Sequence, residues 1–456
     1  MNTRSLNVLI NDHQVGTLTE ENGIWAFQYN EAWCASAGGF AITNALPLTG
    51  SIQRDGSTHR PVQWFFDNLL PEETLREVIG KEEGILPADA FGLLERLGAE
   101  SAGALVLVLQ PAMPTPAHVG GKGETRDAGD KGYKGTLSLG LAELSRRIGR
   151  LAVSSLSSQS PKRMSLAGAQ HKMVVNFDPL TARLSEPLKG TPSTHILKPN
   201  STATGYPNSV VNEVFTLRLA ALLGLKVPKV WRLYVPEAVF IIERFDRKAQ
   251  AGDLEPLRLH VLDGCQMLNQ SAMYKYSSAT FDNLNRLIDL CRNKAATRLA
   301  MFQWIVFNTL VGNSDCHLKN ISFLVDAQGI KVAPFYDLLC TAVYHSRALA
   351  DDQAIWPNEP LAMPVAGAAT FADVTRQRLV ETGLHLGLAR GTSEREVTRL
   401  VNHMAKAADG LMAQMEAEYA EPGLMGQPLL TTQATERHLL RAIRYVVIGD
   451  MLSRVQ

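Results

Sequence analysis

The sequence predicts an α+β protein of two lobes, strand-rich in its first half and mostly helical in its second, with an extra small α/β module in front. Three observations carry that prediction. Short apolar runs with period-two alternation crowd the chain before Arg247. From Leu262 onward the apolar spacing is helical almost throughout. A length of 456 residues exceeds what one hydrophobic core serves, so two or three domains are expected.

Residues 1–110 form the first expected unit. Leu6 to Ile10 and Val15 to Leu18 flank an Asn11-Asp12 turn, and Trp25 to Tyr29 alternates as a third strand. Glu73 to Ile79 and Ala88 to Leu97 have helical spacing, and Gly103 to Leu109 is a buried strand. Residues 111–136, rich in Pro and Gly among mixed charges, are expected to be a linker or insert. The next unit, 137–247, opens with a short amphipathic helix near Leu141 to Leu151 and a serine-rich stretch. Strands follow at Met173 to Asn176, His195 to Leu197, Lys229 to Tyr234 and Val239 to Ile242. A helix over Ser209 to Leu223 interrupts them, with Asn208 placed to cap it. In the last unit, 248–456, the signal is almost all helical from Leu262 on, broken by Ile321 to Val325 and Ile330 to Ala333.

Composition excludes several classes. The 45% hydrophobic and 20% charged content is that of a folded, water-exposed protein. Zero formal net charge gives little long-range attraction for phosphate backbones, against a stand-alone nucleic-acid binder. The five cysteines are scattered, without CxxC or zinc spacing, and suit a reducing compartment. No apolar signal core or bilayer-length run is present, so a cytoplasmic location without membrane association is expected.

The chemistry is concentrated in Val311 to Asn320, Val-Gly-Asn-Ser-Asp-Cys-His-Leu-Lys-Asn, and in Phe335-Tyr336-Asp337. An Asp, an Asn five positions later and a second Asp beside a nearby strand are the groups a kinase uses to transfer phosphate from ATP. Asp315 would orient and deprotonate the acceptor hydroxyl. Asn320 and Asp337 would hold Mg²⁺, a hard ion content with one or two carboxylates besides phosphate oxygens. Lys319 would neutralise the transferred group, or be a solvated surface lysine. His317 reads as a packing or hydrogen-bonding residue of the loop. Alone, such spacing serves caps and turns, and Asp337 could cap the next helix. A buried-looking helix, Met301 to Leu310, delivers the loop and sets it apart from those uses.

Upstream, Thr194 to Pro199 places Lys198 at the end of an apolar strand, with Glu213 inside the following helix. A strand lysine paired with a helix glutamate grips the α- and β-phosphates in kinases, although a surface ion pair has the same spacing. Ser165-Leu166-Ala167-Gly168-Ala169-Gln170-His171-Lys172 precedes a strand. Its small residues, Ala167, Gly168 and Ala169, with Gln170 and Lys172, would cradle phosphate, or form an ordinary turn. Phe240 to Arg247 would be an interlobe hinge, with backbone near Glu243 and Phe245 meeting adenine and the Phe245 ring packing on it. A strand end carrying a surface ion-pair cluster is the alternative.

In their order these motifs make the fold protein-kinase-like. Together with Phe65 to Glu72 in the first module, they resemble HipA-type toxin kinases of bacterial toxin–antitoxin pairs. The resemblance covers most of the chain; it departs at the insert and at His260-Val261-Leu262-Asp263, where the family tends to be more acidic. It implies a serine/threonine protein kinase that uses ATP and Mg²⁺ to arrest growth by phosphorylating a translation factor, typically an aminoacyl-tRNA synthetase. It also implies a HipB-like helix-turn-helix antitoxin that contacts operator DNA, and autophosphorylation at Ser165 that inactivates the enzyme. Phosphoserine adds nearly two negative charges to a loop meant for ATP phosphates, so the loop would be expelled. A small-molecule phosphotransferase is a second reading, in which Phe65 to Glu72 has no place. A kinase-like corepressor scaffold is a third, which need not keep Lys198, Glu213, Asp315, Asn320 and Asp337 together.

Overall fold

The computed structural model describes residues 3–109, 135–162, 164–188, 190–250 and 255–456. In the N-terminal module β1 (Arg4–Ile10) turns through Asn11 and Asp12, both in left-handed backbone, into β2 (His13–Glu21) and then β3 (Ile24–Tyr29). α1 (Glu31–Ala35), β4 (Gln53–Arg54), α2 (Pro61–Asp67), α3 (Glu73–Glu83), α4 (Ala90–Leu97) and β5 (Leu105–Leu109) follow. The antiparallel sheet runs β4-β3-β2-β1-β5. Alternate residues Leu6, Val8 and Ile10 face inward. Phe66 of α2 packs on Phe27, and Phe91 of α4 meets Trp25 edge-on at 5.1 Å.

The second sheet contains β6 (Thr136–Ser138), β7 (Met173–Asp178), β8 (Arg183–Pro187), β9 (His195–Pro199), β10 (Val230–Tyr234) and β11 (Ala238–Glu243). Its order is β10-β11-β9-β7-β8-β6, with every neighbouring pair antiparallel. Alternation along β11 divides the core. Val239 and Ile241 join Met173, Val175 and Leu144 of α5 (Leu141–Ile148) on one face. Phe240 and Ile242 face the main core with Val214 and Phe215 of α6 (Ser209–Leu222). Most of the expected insert, residues 111–134, lies outside the described residues. Of its last two positions, Gly135 lies in a turn and its carbonyl accepts from Leu188 N–H, while Thr136 opens β6 and pairs with Pro187.

Asn208 precedes α6, but in left-handed backbone and without a side-chain cap. Asn200 caps that end instead, its Oδ1 accepting from Val210 N–H at 2.9 Å, a partner too distant in sequence for a capping rule to find.

Beyond the second sheet come β12 (Arg247–Lys248), β13 (Leu257–Arg258), β14 (His260–Asp263), α7 (Gly264–Met267) and α8 (Phe281–Leu290). α9 (Lys294–Val311) runs through the middle of the helical half, with Phe302, Trp304, Ile305 and Phe307 fully buried. β15 (Ser322–Asp326) and β16 (Gly329–Val332) complete the antiparallel sheet β14-β15-β16. The short α10 (Arg347–Ala350) and a ribbon of β17 (Pro360–Val365) and β18 (Ala368–Thr370) lead into α11 (Arg376–His385) and the 31-residue α12 (Arg390–Ala420). α13 (Leu430–Arg441) continues through a π-helical stretch, Ala442–Ile448, into α14 (Gly449–Val455). One continuous apolar core joins the N-terminal module to this half. Strands β14, β17 and β18 correct the expectation of helix after Leu262, apart from the two strands found at β15 and β16.

Candidate active site

The loop after α9 is set by its ends. Gly312 takes left-handed backbone and closes the helix, its N–H meeting the Asn308 and Thr309 carbonyls. Asn313 then locks the turn: its Nδ2 donates to Asn308 Oδ1 at 2.7 Å, and its Oδ1 accepts from Asp315 N–H at 3.1 Å. Asn320 Nδ2 donates to the Asp315 carbonyl at 3.1 Å, which fixes the five-residue spacing as one small ring. That bond uses the Asn320 amide nitrogen, not its oxygen.

Across the cleft, Lys198 Nζ donates to Glu213 Oε1 and to Asp337 Oδ1, each at 2.8 Å. The expected strand–helix pair is therefore formed, buried, and extended by the second Asp. Burial alone would lower the Lys198 ammonium, but Asp337 and Glu213 outweigh it and hold it above its usual range. Against its own burial, Asp337 is held well below the usual carboxylate range by Lys198, so it stays charged. Glu213 is lifted by burial, with the Asp337 charge adding to the lift. Asp337 occupies left-handed backbone at φ 56, an uncommon conformation for a non-glycine residue and a frequent mark of functional geometry.

Burial pushes Asp315 up to about 6; the Tyr276 hydrogen bond works against that shift and the Asp337 charge adds to it. The two acids are therefore shifted in opposite directions, Asp337 down and Asp315 up. His317 is buried edge-on against the Tyr276 ring and pushed down to about 4 by burial, then by Lys275, as suits a neutral packing residue.

The small-residue loop closes this cleft. Gly168 has φ +101, and a Cβ there would lie 2.7 Å from Lys172 Nζ. Lys172 donates to the Ala167 carbonyl at 2.5 Å, and burial followed by the Lys198 charge pushes it down to about 8. Gln170 Nε2 holds the Pro199 carbonyl at 3.0 Å, and Ala169 is the exposed tip. Glu72 of the N-terminal module grips the loop: its Oε1 accepts from Gly168 N–H at 3.2 Å.

Four expectations are corrected. Lys319 does not reach toward a transferred phosphoryl. It is 6% exposed and donates to Asn68 O, Asn68 Oδ1 and Asp263 Oδ2 at 2.7–3.0 Å, so all three protons are taken. Glu243 is exposed and its N–H already donates to the Lys229 carbonyl, leaving no donor for an adenine edge. Phe245 is stacked on Tyr336, centroids 5.6 Å apart, so one face of its ring is occupied from within the protein. The Arg244–Arg247 turn is no surface cluster either: Arg244 and Asp246 are buried against Glu100 and Gly103. Ser165, where autophosphorylation is expected, is not one of these corrections: it lies at the root of the loop, 0% exposed, its Oγ donating to the Leu69 carbonyl at 2.7 Å.

Sequence reasoning gave no chemistry to Asn68, Glu72, Asp263, Lys275 or Tyr276. Asn68 and Glu72 lie in the quoted Phe65 to Glu72 motif, whose purpose shows only when Lys319, some 250 residues on, is seen docked against it. Tyr276 donates its hydroxyl to Asp315 Oδ1, and no local pattern announces it.

The ionised carboxylate of Asp337 and the amide oxygen of Asn320 are the kinds of oxygen ligand that a hard cation takes alongside phosphate oxygens. Among the described residues no group of three His, Cys, Asp or Glu side chains could hold a metal ion. No helix among the described residues is long and apolar enough to cross a membrane.

Comparison with known proteins agrees. The family described as the HipA-like C-terminal domain matches residues 164–412, and the HipA N-terminal domain matches residues 6–108. Protein Y4mE of Sinorhizobium fredii is 34% identical over 417 residues, 89% of this chain and 91% of that one. The serine/threonine-protein kinase toxin HipA of Shewanella oneidensis is 28% identical over 401 residues, 83% and 86% of the two chains. A solved structure of Shewanella oneidensis HipA with HipB and its operator DNA has a TM-score of 0.74 at 25% identity, covering 99% of this chain and 100% of that one.

Proposed function

This chain belongs to the HipA family of kinase toxins, and on that premise we propose that it is an ATP- and Mg²⁺-dependent serine/threonine protein kinase working through Asp315. The observation that carries the proposal is the Lys198 ammonium, shared at 2.8 Å between Glu213 and Asp337. Glu213 fixes where that cation points, and the cation in turn fixes Asp337. Bound at Asp337 and Asn320, Mg²⁺ would neutralise charge on the nucleotide phosphates. Lys198 and Lys172 would hold the phosphates beneath Ala167 to Gln170. Asp315 orients the acceptor hydroxyl and takes its proton as the acceptor oxygen bonds to the γ-phosphorus, the β–γ bridging bond breaks and ADP departs with the electron pair. Residues 137–247 would serve as the upper lobe of the cleft and 248–456 as the lower.

Within that proposal the acceptor is a protein of the translation apparatus, an aminoacyl-tRNA synthetase being the type expected. A HipB-like helix-turn-helix antitoxin would restrain the kinase in the cytoplasm and bring it to operator DNA. Autophosphorylation at Ser165 would switch it off. Since that hydroxyl is buried against Leu69, the modification requires the 164–172 loop to leave its seat. A dianionic phosphoserine could not return to so closed a place, which supports an inactivating role. Incubation with Mg²⁺-ATP followed by mass spectrometry tests both parts. Phosphate is expected on Ser165 in the native chain and on no residue of Asp315→Gln; label in that variant would overturn the assignment of Asp315.

A further inference from the structure

We propose that Tyr276 is the acceptor-side gate of this kinase, its hydroxyl occupying the place at Asp315 that the substrate hydroxyl takes during transfer. The proposal rests on the assignment of Asp315 as base. The phenol donates to Asp315 Oδ1, the kind of bond a substrate serine or threonine hydroxyl must make, and so holds an acceptor position of the carboxylate that the substrate hydroxyl would use. Burial and the neighbouring Asp315 charge raise the Tyr276 phenol far above its usual range, so it remains a donor.

Tyr276 is placed to move. It is 45% exposed and belongs to no helix or strand, following the short turn Ala272–Tyr274. Its ring rests edge-on against His317 at 4.9 Å, with Lys275 Nζ 5.5 Å above it. The gate is also wired to the nucleotide side. Lys275 Nζ donates to Glu72 Oε2 at 3.0 Å, while Glu72 Oε1 accepts from Gly168 N–H in the phosphate loop. One carboxylate therefore ties the loop that would cover the phosphates to the segment that fills the acceptor place.

The experiment uses the full chain with Mg²⁺-ATP and a mixture of short unstructured peptides centred on serine or threonine. Tyr276→Phe keeps the ring on His317 and removes only the competing hydroxyl. Its KM for peptide is expected to fall roughly ten-fold, about what one hydrogen bond to a charged group contributes, with the KM for ATP unchanged. An unchanged peptide KM, in a protein that Asp315→Asn inactivates, would overturn the gate alone. Transfer that survives Asp315→Asn would remove the base and the gate together. Phosphate recovered on Tyr276 of the native chain would also overturn the proposal, because the residue would then be an acceptor and not a gate.

Discussion

Lys198 is buried between two carboxylates, and that decides what its loss would do. A buried cation between two carboxylates stabilises little in net terms, since desolvation offsets most of the attraction, yet removing it leaves two acids facing each other. Lys198→Met is therefore expected to abolish Mg²⁺-ATP binding by calorimetry and to lower unfolding free energy by roughly 3 kcal/mol in urea. Adding Glu213→Leu should restore most of that stability and none of the binding. Recovery of binding in the double variant would contradict the role given to Lys198. At this scale the sequence exposed the pairs it holds in order, Lys198 with Glu213 and Asp315 with Asn320, because an element boundary and a short loop constrain them. Lys319 was misjudged because its partners, Asn68 and Asp263, lie on other elements. Lys319→Met should accordingly lower the melting temperature while leaving ATP affinity within about three-fold, the mark of a docking contact.

The catalytic loop depends on how α9 stops. At Gly312, φ is +68 and a Cβ would lie 2.5 Å from Val447 Cγ1 and 2.9 Å from the Ala342 Cβ. Gly312→Ala combines left-handed strain with a clash against two buried side chains, so a loss of about 2–4 kcal/mol is expected by urea unfolding. A loss under 0.5 kcal/mol would mean the turn can re-form without left-handed backbone. Elements with an apolar period were legible: α9 and β11 bury what their spacing says they should. β8 and β14 were not. β8 (Arg-Leu-Ser-Glu-Pro) buries Leu184 in the apolar core and, on the same face, Glu186 against Arg147, the two joined at 2.8 and 3.0 Å, so half of its inward face is polar and the apolar alternation is broken. β14 likewise buries His260 and Asp263.

The N-terminal module and the second sheet are joined by charge as well as by apolar core. Glu100 is fully buried and accepts from Lys162, Arg244, Arg247 and Arg258 at 2.6–2.9 Å, and from Ser193 at 2.7 Å. Despite its burial, these cations hold it well below the usual carboxylate range. No single-sequence signal marks such a hub, because its five partners are spread over nearly a hundred residues of chain. Besides His317, two buried histidines are pushed down by burial. His195, between Phe177 and Trp231, and His260, whose Nε2–H donates to the Ile42 carbonyl, are both pushed down to about 4 by burial. A folded-state value below the ordinary 6.5 means stability is complete above pH 6.5 and is lost as pH falls toward 4, because the unfolded chain takes the proton first. Each histidine contributes up to about 3 kcal/mol to that loss. Glu100 adds its own below the usual carboxylate range, where the unfolded chain protonates before the folded one. Urea midpoints measured from pH 7.5 down to 4.5 should therefore fall steadily once below 6.5, and His195→Phe should flatten the first part of the decline. The same slope in that variant would place the acid sensitivity elsewhere, with His260 and His317 as the buried histidines that remain.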